Sequence, residues 1–362
     1  MVTTPKTAIS DQSATLISQL TSLRFFAAIS VVVFHSGASF IATVEAVPVF
    51  FRTLLLNGYV GVTFFFVLSG FILQFVYSGR ISPQRGVRNF AVARVARIYP
   101  CYILGLLLVV PFFGTLGWSG VPQFFLLQMW WPNLANWNMP AWTLSVELFF
   151  YLLFPFLSPQ LSKLETRPLF IIGALMAGII IVTGSSSVAS NDRVLFAWMA
   201  QVPVPLLRLP EFIGGVAVGE LFLRSKDWRM PVLLSPMLLT WVMLVPLCLS
   251  NAPRMAGFVS AMSMLLIFAV AHDRASLMAR FLSWRPLVLL GGASYGLYLL
   301  QQPFHFAHVA FFGSSKLSLI FQYPILIVGS LLIFLYYEEP LRERIRHLFR
   351  MRSSSGAAIK SG

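Results

Sequence analysis

Apolar segments of about twenty residues recur along this chain, separated by short gaps that hold most of its lysines and arginines. A helix of that length crosses the hydrocarbon core of a bilayer. Only 10% of the 362 residues are charged and 57% are hydrophobic, whereas a soluble domain carries about 25% charged residues. The pattern therefore predicts an all-α, polytopic membrane protein whose core is the interior of a helical bundle.

Ten membrane spans are predicted. They cover residues 17–42, 57–77, 98–114, 141–157, 168–183, 203–223, 231–250, 255–271, 286–306 and 318–337. The resulting organisation is a polar N-terminal tail at 1–16, a membrane-embedded domain at 17–340, and a tail at 341–362 that is basic and then rich in Ser and Gly.

The positions of the basic residues predict the orientation. Of the 26 lysines and arginines, Arg24 and Arg208 lie within spans, four lie in gaps on one side of the membrane, and twenty lie on the other side. The four are Arg52, Arg193, Arg254 and Lys316. Because such an excess marks the cytoplasmic side, both termini are predicted to be cytoplasmic, in a multi-pass protein of the inner membrane. Topology and anionic headgroups thus account for the net charge of +14, and no nucleic-acid partner is predicted.

The first predicted span carries two ionisable residues, Arg24 and His35, in an otherwise apolar or small stretch. Eleven steps of about 100° make three turns plus roughly 20°, so both lie on one helix stripe, about 16 Å apart along the axis. Ionisable groups are costly in lipid and usually line a cavity or a reaction path. The alternative is that Arg24 snorkels to the headgroups and His35 is buried with a backbone partner.

Two other spans place polar groups near His35 in depth. The predicted topology puts Glu147 and the pair Arg208 and Glu211 in the outer half, where we expect all of them to meet inside the bundle. His35 with Glu147 suits general-base catalysis, because an imidazole takes a proton from a hydroxyl near pH 7 and a carboxylate stabilises the imidazolium. Arg208 and Glu211, at i and i+3, can neutralise each other, and this pair is equally consistent with a structural role. Thr143 lies four residues before Glu147 on the same helix face; the alternative is that Thr143 bonds its own helix.

A basic piece on the cytoplasmic side favours an anion. Arg94 and Arg97, at i and i+3, can present two guanidinium groups together, and Arg80, Arg85 and Arg88 add positive charge. The tendency of basic residues to lie on the cytoplasmic side explains the same residues equally well.

Aromatic and histidine residues cluster at the predicted outer side. Five tryptophans fit an interfacial aromatic belt, with stacking on a sugar as the alternative. They are Trp118, Trp130, Trp131, Trp137 and Trp142. His305 and His308 have no carboxylate beside them in sequence and are predicted to be interfacial, so no metal is expected.

These residues also carry a family resemblance. The chain resembles, over nearly its whole length, the membrane-bound acyltransferase-3 family, which O-acylates bacterial polysaccharides, lipopolysaccharide O-antigens, Nod factors and some antibiotics. Seven motifs match in order: Arg24 and His35 with ten residues between them, F-F-x-x-S-G at 65–70, R-x-x-R at 94–97, P-A-W-T-L-S-V-E-L-F-F-Y around Glu147, R-L-P-E-F-I-G-G around Glu211, S-Y-G-L-Y-L-L-Q, and E-E-P. Thr143 stands where the family often has Ser, and Gln301 where it often has His, so the resemblance supports no acid/base role for Gln301.

The resemblance implies an O-acyltransferase, most simply an O-acetyltransferase, with acyl-CoA as co-substrate and a glycan or glycolipid as acceptor in the bilayer. It implies that Arg94 and Arg97, helped by Arg88, bind the phosphates of acyl-CoA. The pantetheine arm would then pass Arg24 and Ser69 toward the bundle interior.

It also implies the catalytic roles: His35 is the base, assisted by Glu147, and Arg24 and Thr143 belong to the same catalytic group. Arg208 and Glu211 are in support. Two other functions stay open. A transporter or exporter of a glycan or anionic solute would also place charges in the membrane, although no repeated half or pair of broken helices is visible. A non-catalytic membrane scaffold for a glycan polymerase is the third.

Overall fold

The computed structural model of the chain describes residues 5–37, 47–84, 86–112, 118–130, 136–183, 202–225, 228, 231–249, 253–313 and 316–358. Its main elements over these residues are helices: α1 (Pro5–Ser36), α2 (Val49–Leu56), α3 (Val60–Tyr77), α4 (Val87–Val109), α5 (Trp142–Lys163), α6 (Thr166–Thr183), α7 (Leu209–Arg224), α8 (Pro236–Leu249), α9 (Pro253–His272), α10 (Leu277–Leu282), α11 (Arg285–Phe312), α12 (Lys316–Ile333) and α13 (Glu339–Ala358). Short helical turns lie at Val110–Phe112, Trp118–Gly120, Val121–Phe124, Met139–Ala141, Val204–Leu207 and Val232–Leu234. A π-helical turn at Phe334–Glu338 joins α12 to α13. Within the described ranges the chain forms no β-strand, which confirms the predicted all-α class.

Each of the ten predicted spans overlaps one of these helices. Two of the helices begin much earlier than the spans predicted for them. Helix α1 begins at Pro5 rather than near Ile17, and α4 begins at Val87 rather than near Ile98. The second difference has a physical reason, because the basic stretch before Ile98 is rich in Ala and Arg, which favour helix. The predicted end of the first span, at residue 42, lies outside the described residues.

Six helical stretches in the described part of the chain are long and apolar enough to cross a membrane. They are Leu16–Ser36, Val60–Tyr77, Val87–Phe112, Met139–Lys163, Thr166–Thr183 and Phe321–Phe349. Shorter apolar helices lie at Pro236–Leu249 and Gly257–His272. A multi-pass membrane protein follows from these lengths, while the count of ten spans and the cytoplasmic termini stay predictions.

The chain forms two compact units, of which the first comprises Met1–Ser78 and Gln160–Tyr298. In it α3 packs against α7, α7 packs against α6 and α9, and α1 packs against α3 and α9. Buried aliphatic and aromatic side chains from these helices, including Leu20, Val67, Phe71 and Ile267, form its core.

The second unit comprises Gly79–Pro159 and Leu299–Gly362. In it α4 packs against α13 and against the π-helical turn. Phe90 of α4 stacks on Phe154 of α5 at 5.6 Å between ring centroids and meets Tyr151 edge-on at 6.2 Å. These rings position the arginines of α4 beside the part of α5 that carries Glu147.

Candidate active site

The predicted base lies in the last turn of α1. His35 is half-buried, and its ring packs edge-on against Phe34 at 5.1 Å between centroids. Arg24 is half-buried on the same continuous helix. Because no break separates the two residues, the common stripe and the rise of about 16 Å between them are retained.

The predicted ion pair is formed, deep inside the first unit. Arg208 Nη1 lies 3.2 Å from Glu211 Oε1, and the two side chains are only 1% and 0% exposed. Arg208 Nη2 donates a hydrogen bond of 2.8 Å to Thr63 Oγ1 of α3, and the guanidinium carbon lies 5.1 Å from the centre of the Phe66 ring. The cation is thus held on several sides, as a buried charge must be.

Two motif glycines bring α3 and α7 close enough for that contact. A Cβ atom on Gly70 would lie 2.3 Å from the Phe212 carbonyl oxygen, and one on Gly215 would lie 2.0 Å from the Val67 carbonyl oxygen. Only a glycine fits at either position, since backbone of the opposite helix occupies the space. The glycines of F-F-x-x-S-G and R-L-P-E-F-I-G-G therefore form one seam. Ser69, beside Gly70, is half-buried.

A second polar cluster in the first unit was missed by the sequence analysis. The buried carboxylate of Glu220 accepts hydrogen bonds at Oε2 from Gln74 Nε2 (2.6 Å), Ser162 Oγ (3.1 Å) and Ser78 Oγ (3.2 Å). Arg224 donates from Nε to Glu220 Oε1 at 3.1 Å. The i, i+4 spacing of Glu220 and Arg224 was a local signal, but the other donors come from distant parts of the sequence. The carboxylate is well satisfied and joins the ends of α3, α5 and α7.

In the second unit, Arg94 and Glu147 both contact the same tyrosine, Tyr151. The guanidinium carbon of Arg94 lies 5.6 Å from the centre of the Tyr151 ring and 5.7 Å from that of Phe90. Tyr151 is buried, and its hydroxyl donates a 3.1 Å hydrogen bond to Glu147 Oε2. Tyr151 therefore contacts Arg94 and Glu147 together, which orients the half-buried carboxylate. The i, i+4 spacing of Glu147 and Tyr151 was visible in the sequence and was not used.

Thr143 has another partner than Glu147. Its buried hydroxyl donates a 3.1 Å hydrogen bond to the Pro140 carbonyl oxygen, which is the local bonding that the sequence left open as an alternative. On α4, Arg97 is half-buried and Arg88 is exposed. Gln301 is buried in α11.

Two of the five tryptophans in the tryptophan-rich segment are buried. Trp137 and Trp142 are buried, while Trp118 is 91% exposed. Trp130 packs edge-on against Phe149, and Trp131 lies outside the described residues. Trp137 is fixed by a hydrogen bond from its backbone N–H to Gln123 Oε1, and the position of the segment at a membrane interface stays a prediction.

Each of the two late histidines contacts another side chain. His305 Nδ1 lies 3.0 Å from Gln322 Oε1, and the buried His308 packs against Phe312. Over the described ranges, no group of three or more His, Cys, Asp or Glu side chains could hold a metal ion.

His35 and Glu147 belong to different units, so their meeting stays a prediction. Within the units, the arrangement provides an imidazole at a helix end, a carboxylate oriented by a tyrosine, and arginines beside that tyrosine. These are the groups that acyl transfer requires: a base for a hydroxyl, an orienting carboxylate, and cations for a phosphorylated donor.

Comparison with known proteins agrees with this chemistry. The model of the acyltransferase-3 family, an acyltransferase domain, matches residues 17–339. The chain is 29% identical to the acyltransferase MdmB of Streptomyces mycarofaciens, over 79% of this chain and 78% of that protein. It is 24% identical to the O-acetyltransferase OatA of Staphylococcus aureus, over 90% of this chain but only 57% of that protein. No solved structure matches the chain.

Proposed function

This chain belongs to the acyltransferase-3 family, and from that premise we propose that it transfers an acetyl group from cytoplasmic acetyl-CoA to a hydroxyl of an extracytoplasmic or lipid-linked glycan. That it is an enzyme of acyl transfer in a membrane follows from the family and from the apolar helices. The donor, the acceptor, the inner bacterial membrane and the residue roles are the proposal.

The observation that carries the proposal is the contact of Arg94 and Glu147 with the same tyrosine. Arg94 packs on the face of Tyr151 at 5.6 Å, and the hydroxyl of Tyr151 bonds Glu147. A phosphate on the arginines would therefore lie within one side chain's reach of the carboxylate. The contact couples the proposed donor-binding helix α4 to the part of α5 that carries the carboxylate.

The reaction needs one base and one leaving group. His35 takes the proton of the acceptor hydroxyl, and the oxygen attacks the thioester carbonyl carbon. The new C–O ester bond forms, the C–S bond breaks, and the CoA thiolate leaves and takes up a proton. Glu147 stabilises the imidazolium, and Thr143 supports the local helix turn beside it.

The donor side uses the basic helix. Arg94 and Arg97 bind the phosphates as charge-assisted hydrogen-bond donors, and the exposed Arg88 attracts the anion. The pantetheine arm passes Ser69 and Arg24. The ion pair of Arg208 and Glu211 supports the site by fixing α3 to α7 rather than by touching the donor.

The test is acyl transfer by the purified protein in nanodiscs, measured as CoA thiol release in the presence of the host's glycan fraction. His35→Ala is expected to lower kcat by at least a hundredfold, because general-base catalysis contributes about 10²–10⁴-fold. His305→Ala, which removes an imidazole that hydrogen-bonds Gln322, is the matched control.

Undiminished turnover by a folded His35→Ala variant would remove the mechanism. Mass spectrometry of surface glycans from cells with and without the gene identifies the acceptor. A missing acetyl mass on one sugar supports the proposal, and identical glycan masses contradict it.

A further inference from the structure

The C-terminal helix α13 carries arginines to which the proposed function gives no role. Glu338, Arg342 and Arg346 lie at i, i+4 and i+8 on one stripe, and they are buried, half-buried and half-buried in turn. Arg344 and His347, on other faces, are exposed. Because burial follows the stripe of Arg342 and Arg346, this stripe faces the protein rather than the solvent.

The direction of α13 along α4 follows from contacts within the second unit. A Cβ atom on Gly105 would lie 3.6 Å from Leu299 Cγ, and the ring of Phe112 lies 5.5 Å from that of Phe306. The two contacts are seven residues apart on each segment, from Gly105 to Phe112 and from Leu299 to Phe306. Helices α4 and α11 therefore run in the same direction.

Helix α12 then returns in the opposite direction. His305 of α11 bonds Gln322 near the start of α12, and the hydroxyl of Tyr337 donates a 3.3 Å hydrogen bond to the Pro100 carbonyl oxygen of α4. Continuing past Tyr337, α13 runs along the first half of α4, against which it packs. That half is the basic one.

The helical rise places the arginines of the two helices at the same level. At 1.5 Å per residue, Arg342 lies about 7.5 Å beyond Tyr337, level with residue 95 of α4, and Arg346 lies about 13.5 Å beyond it, level with residue 91. Arg94 and Arg97 of α4 therefore lie within one helical turn of the level of Arg342, on two helices that pack against each other.

We propose that Arg342 and Arg346 of α13 complete, with Arg94 and Arg97 of α4, a two-helix site for the nucleotide phosphates of the acyl-CoA donor. This inference rests on the proposed function. Coenzyme A carries a diphosphate and a separate 3′-phosphate, and two arginine pairs on facing helices match two separated anionic groups.

Charge and space both fit a phosphorylated ligand. Glu338, Glu339 and Glu343 are the carboxylates on α13's side of this region, and Glu339 is already ion-paired with Arg342. Four guanidinium groups against three carboxylates leave one excess positive charge, and the exposed Arg344 adds another. A recess of about 630 Å³ borders α13 and is lined by Glu343, Arg344, Arg346, His347 and Leu348.

A phospholipid headgroup offers the same phosphate chemistry. The structure favours the nucleotide, because Arg342 and Arg346 are half-buried, whereas a helix that binds a lipid surface directs its basic residues outward. The experiment separates the two sources by the lipid composition of the nanodisc.

The experiment measures KM and kcat for acetyl-CoA and for 3′-dephospho-acetyl-CoA in the full-length protein. Arg346→Gln is expected to raise the KM for acetyl-CoA about tenfold with little change in kcat, and Arg342→Gln/Arg346→Gln to raise it further. With 3′-dephospho-acetyl-CoA, substitution of one of the two arginine pairs is expected to raise KM less than it does with acetyl-CoA, because that pair then has no 3′-phosphate to bind. Arg280→Gln, an exposed arginine of α10 with the same charge change, is the matched control and should leave KM unchanged.

The outcomes are distinct. If Arg94→Gln raises the KM but neither α13 variant does, the inference is overturned and the proposed function stands. If the KM effect of Arg346→Gln disappears in nanodiscs of pure phosphatidylcholine, whose headgroups carry no net charge, the arginines act through anionic lipids and the inference is also wrong. If the wild-type protein neither binds nor consumes acetyl-CoA, both proposals fail.

Discussion

Removing one partner of the buried pair of Arg208 and Glu211 should strongly destabilise the protein. At 3.2 Å and an effective dielectric constant of 20, the two charges attract by about 5 kcal/mol. With the partner gone, a cation that is 1% exposed has lost its ion-pair counter-charge, while neutral neighbours such as Thr63 and the Phe66 ring remain. We therefore expect Glu211→Leu to lower the free energy of unfolding by about 3–5 kcal/mol.

Replacing both charges should cost less than replacing one. In Arg208→Met/Glu211→Leu no uncompensated charge remains, so we expect this variant to be about 2 kcal/mol or more stable than Glu211→Leu alone. The measurement is equilibrium unfolding in mixed micelles, followed by tryptophan fluorescence. Glu339→Gln breaks an ion pair of the same i, i+3 spacing that is 25–30% exposed, and it should cost under about 1 kcal/mol. A double variant as unstable as the single one would refute the reasoning.

Three further predictions follow from single contacts. Gly70→Ala should prevent recovery of monodisperse protein on size-exclusion chromatography, because its Cβ atom would clash with the Phe212 carbonyl oxygen. The control is Gly173→Ala, whose Cβ meets nothing within 4 Å and which should stabilise its helix by about 0.5–1 kcal/mol. Normal behaviour of Gly70→Ala would contradict the close approach of α3 and α7. Tyr151→Phe removes a hydrogen bond to the Glu147 carboxylate and should lower kcat about tenfold or more, while the variant folds normally because the ring is kept. An unchanged kcat would show that Tyr151 does not position Glu147. Glu220→Ala leaves several hydrogen-bond donors without their acceptor and should lower the midpoint of thermal unfolding by several degrees. A change in the midpoint within error would mean that the cluster contributes nothing to stability.

Helices and local pairs could be predicted from the sequence, because their signals are local. Hydropathy located every long apolar helix, and the i, i+3 spacing of Arg208 and Glu211 predicted their ion pair. The start of α4 was misplaced because its basic half lacks an apolar stripe, although Ala and Arg favour helix there.

Contacts between distant segments could not be predicted in the same way. Glu220 gathers Gln74 and Ser162 from helices far away in sequence, and no periodicity in any one segment encodes that choice. The seam at Gly70 and Gly215 was visible only as motif letters. Its physical meaning, that backbone of one helix fills the space of a missing side chain on the other, required the coordinates.

The pairing of Arg208 with Glu211 also bears on how the chain enters the bilayer during synthesis. An isolated arginine or glutamate in the centre of a nascent span carries an insertion penalty of about 2.5–3.5 kcal/mol on translocon scales. Because each charge has its counterion one turn away on the same segment, this segment can leave the translocon already neutralised, before it packs against the earlier-synthesised helix that carries Thr63. The later hydrogen bond to Thr63 then joins two independently inserted parts of the nascent chain.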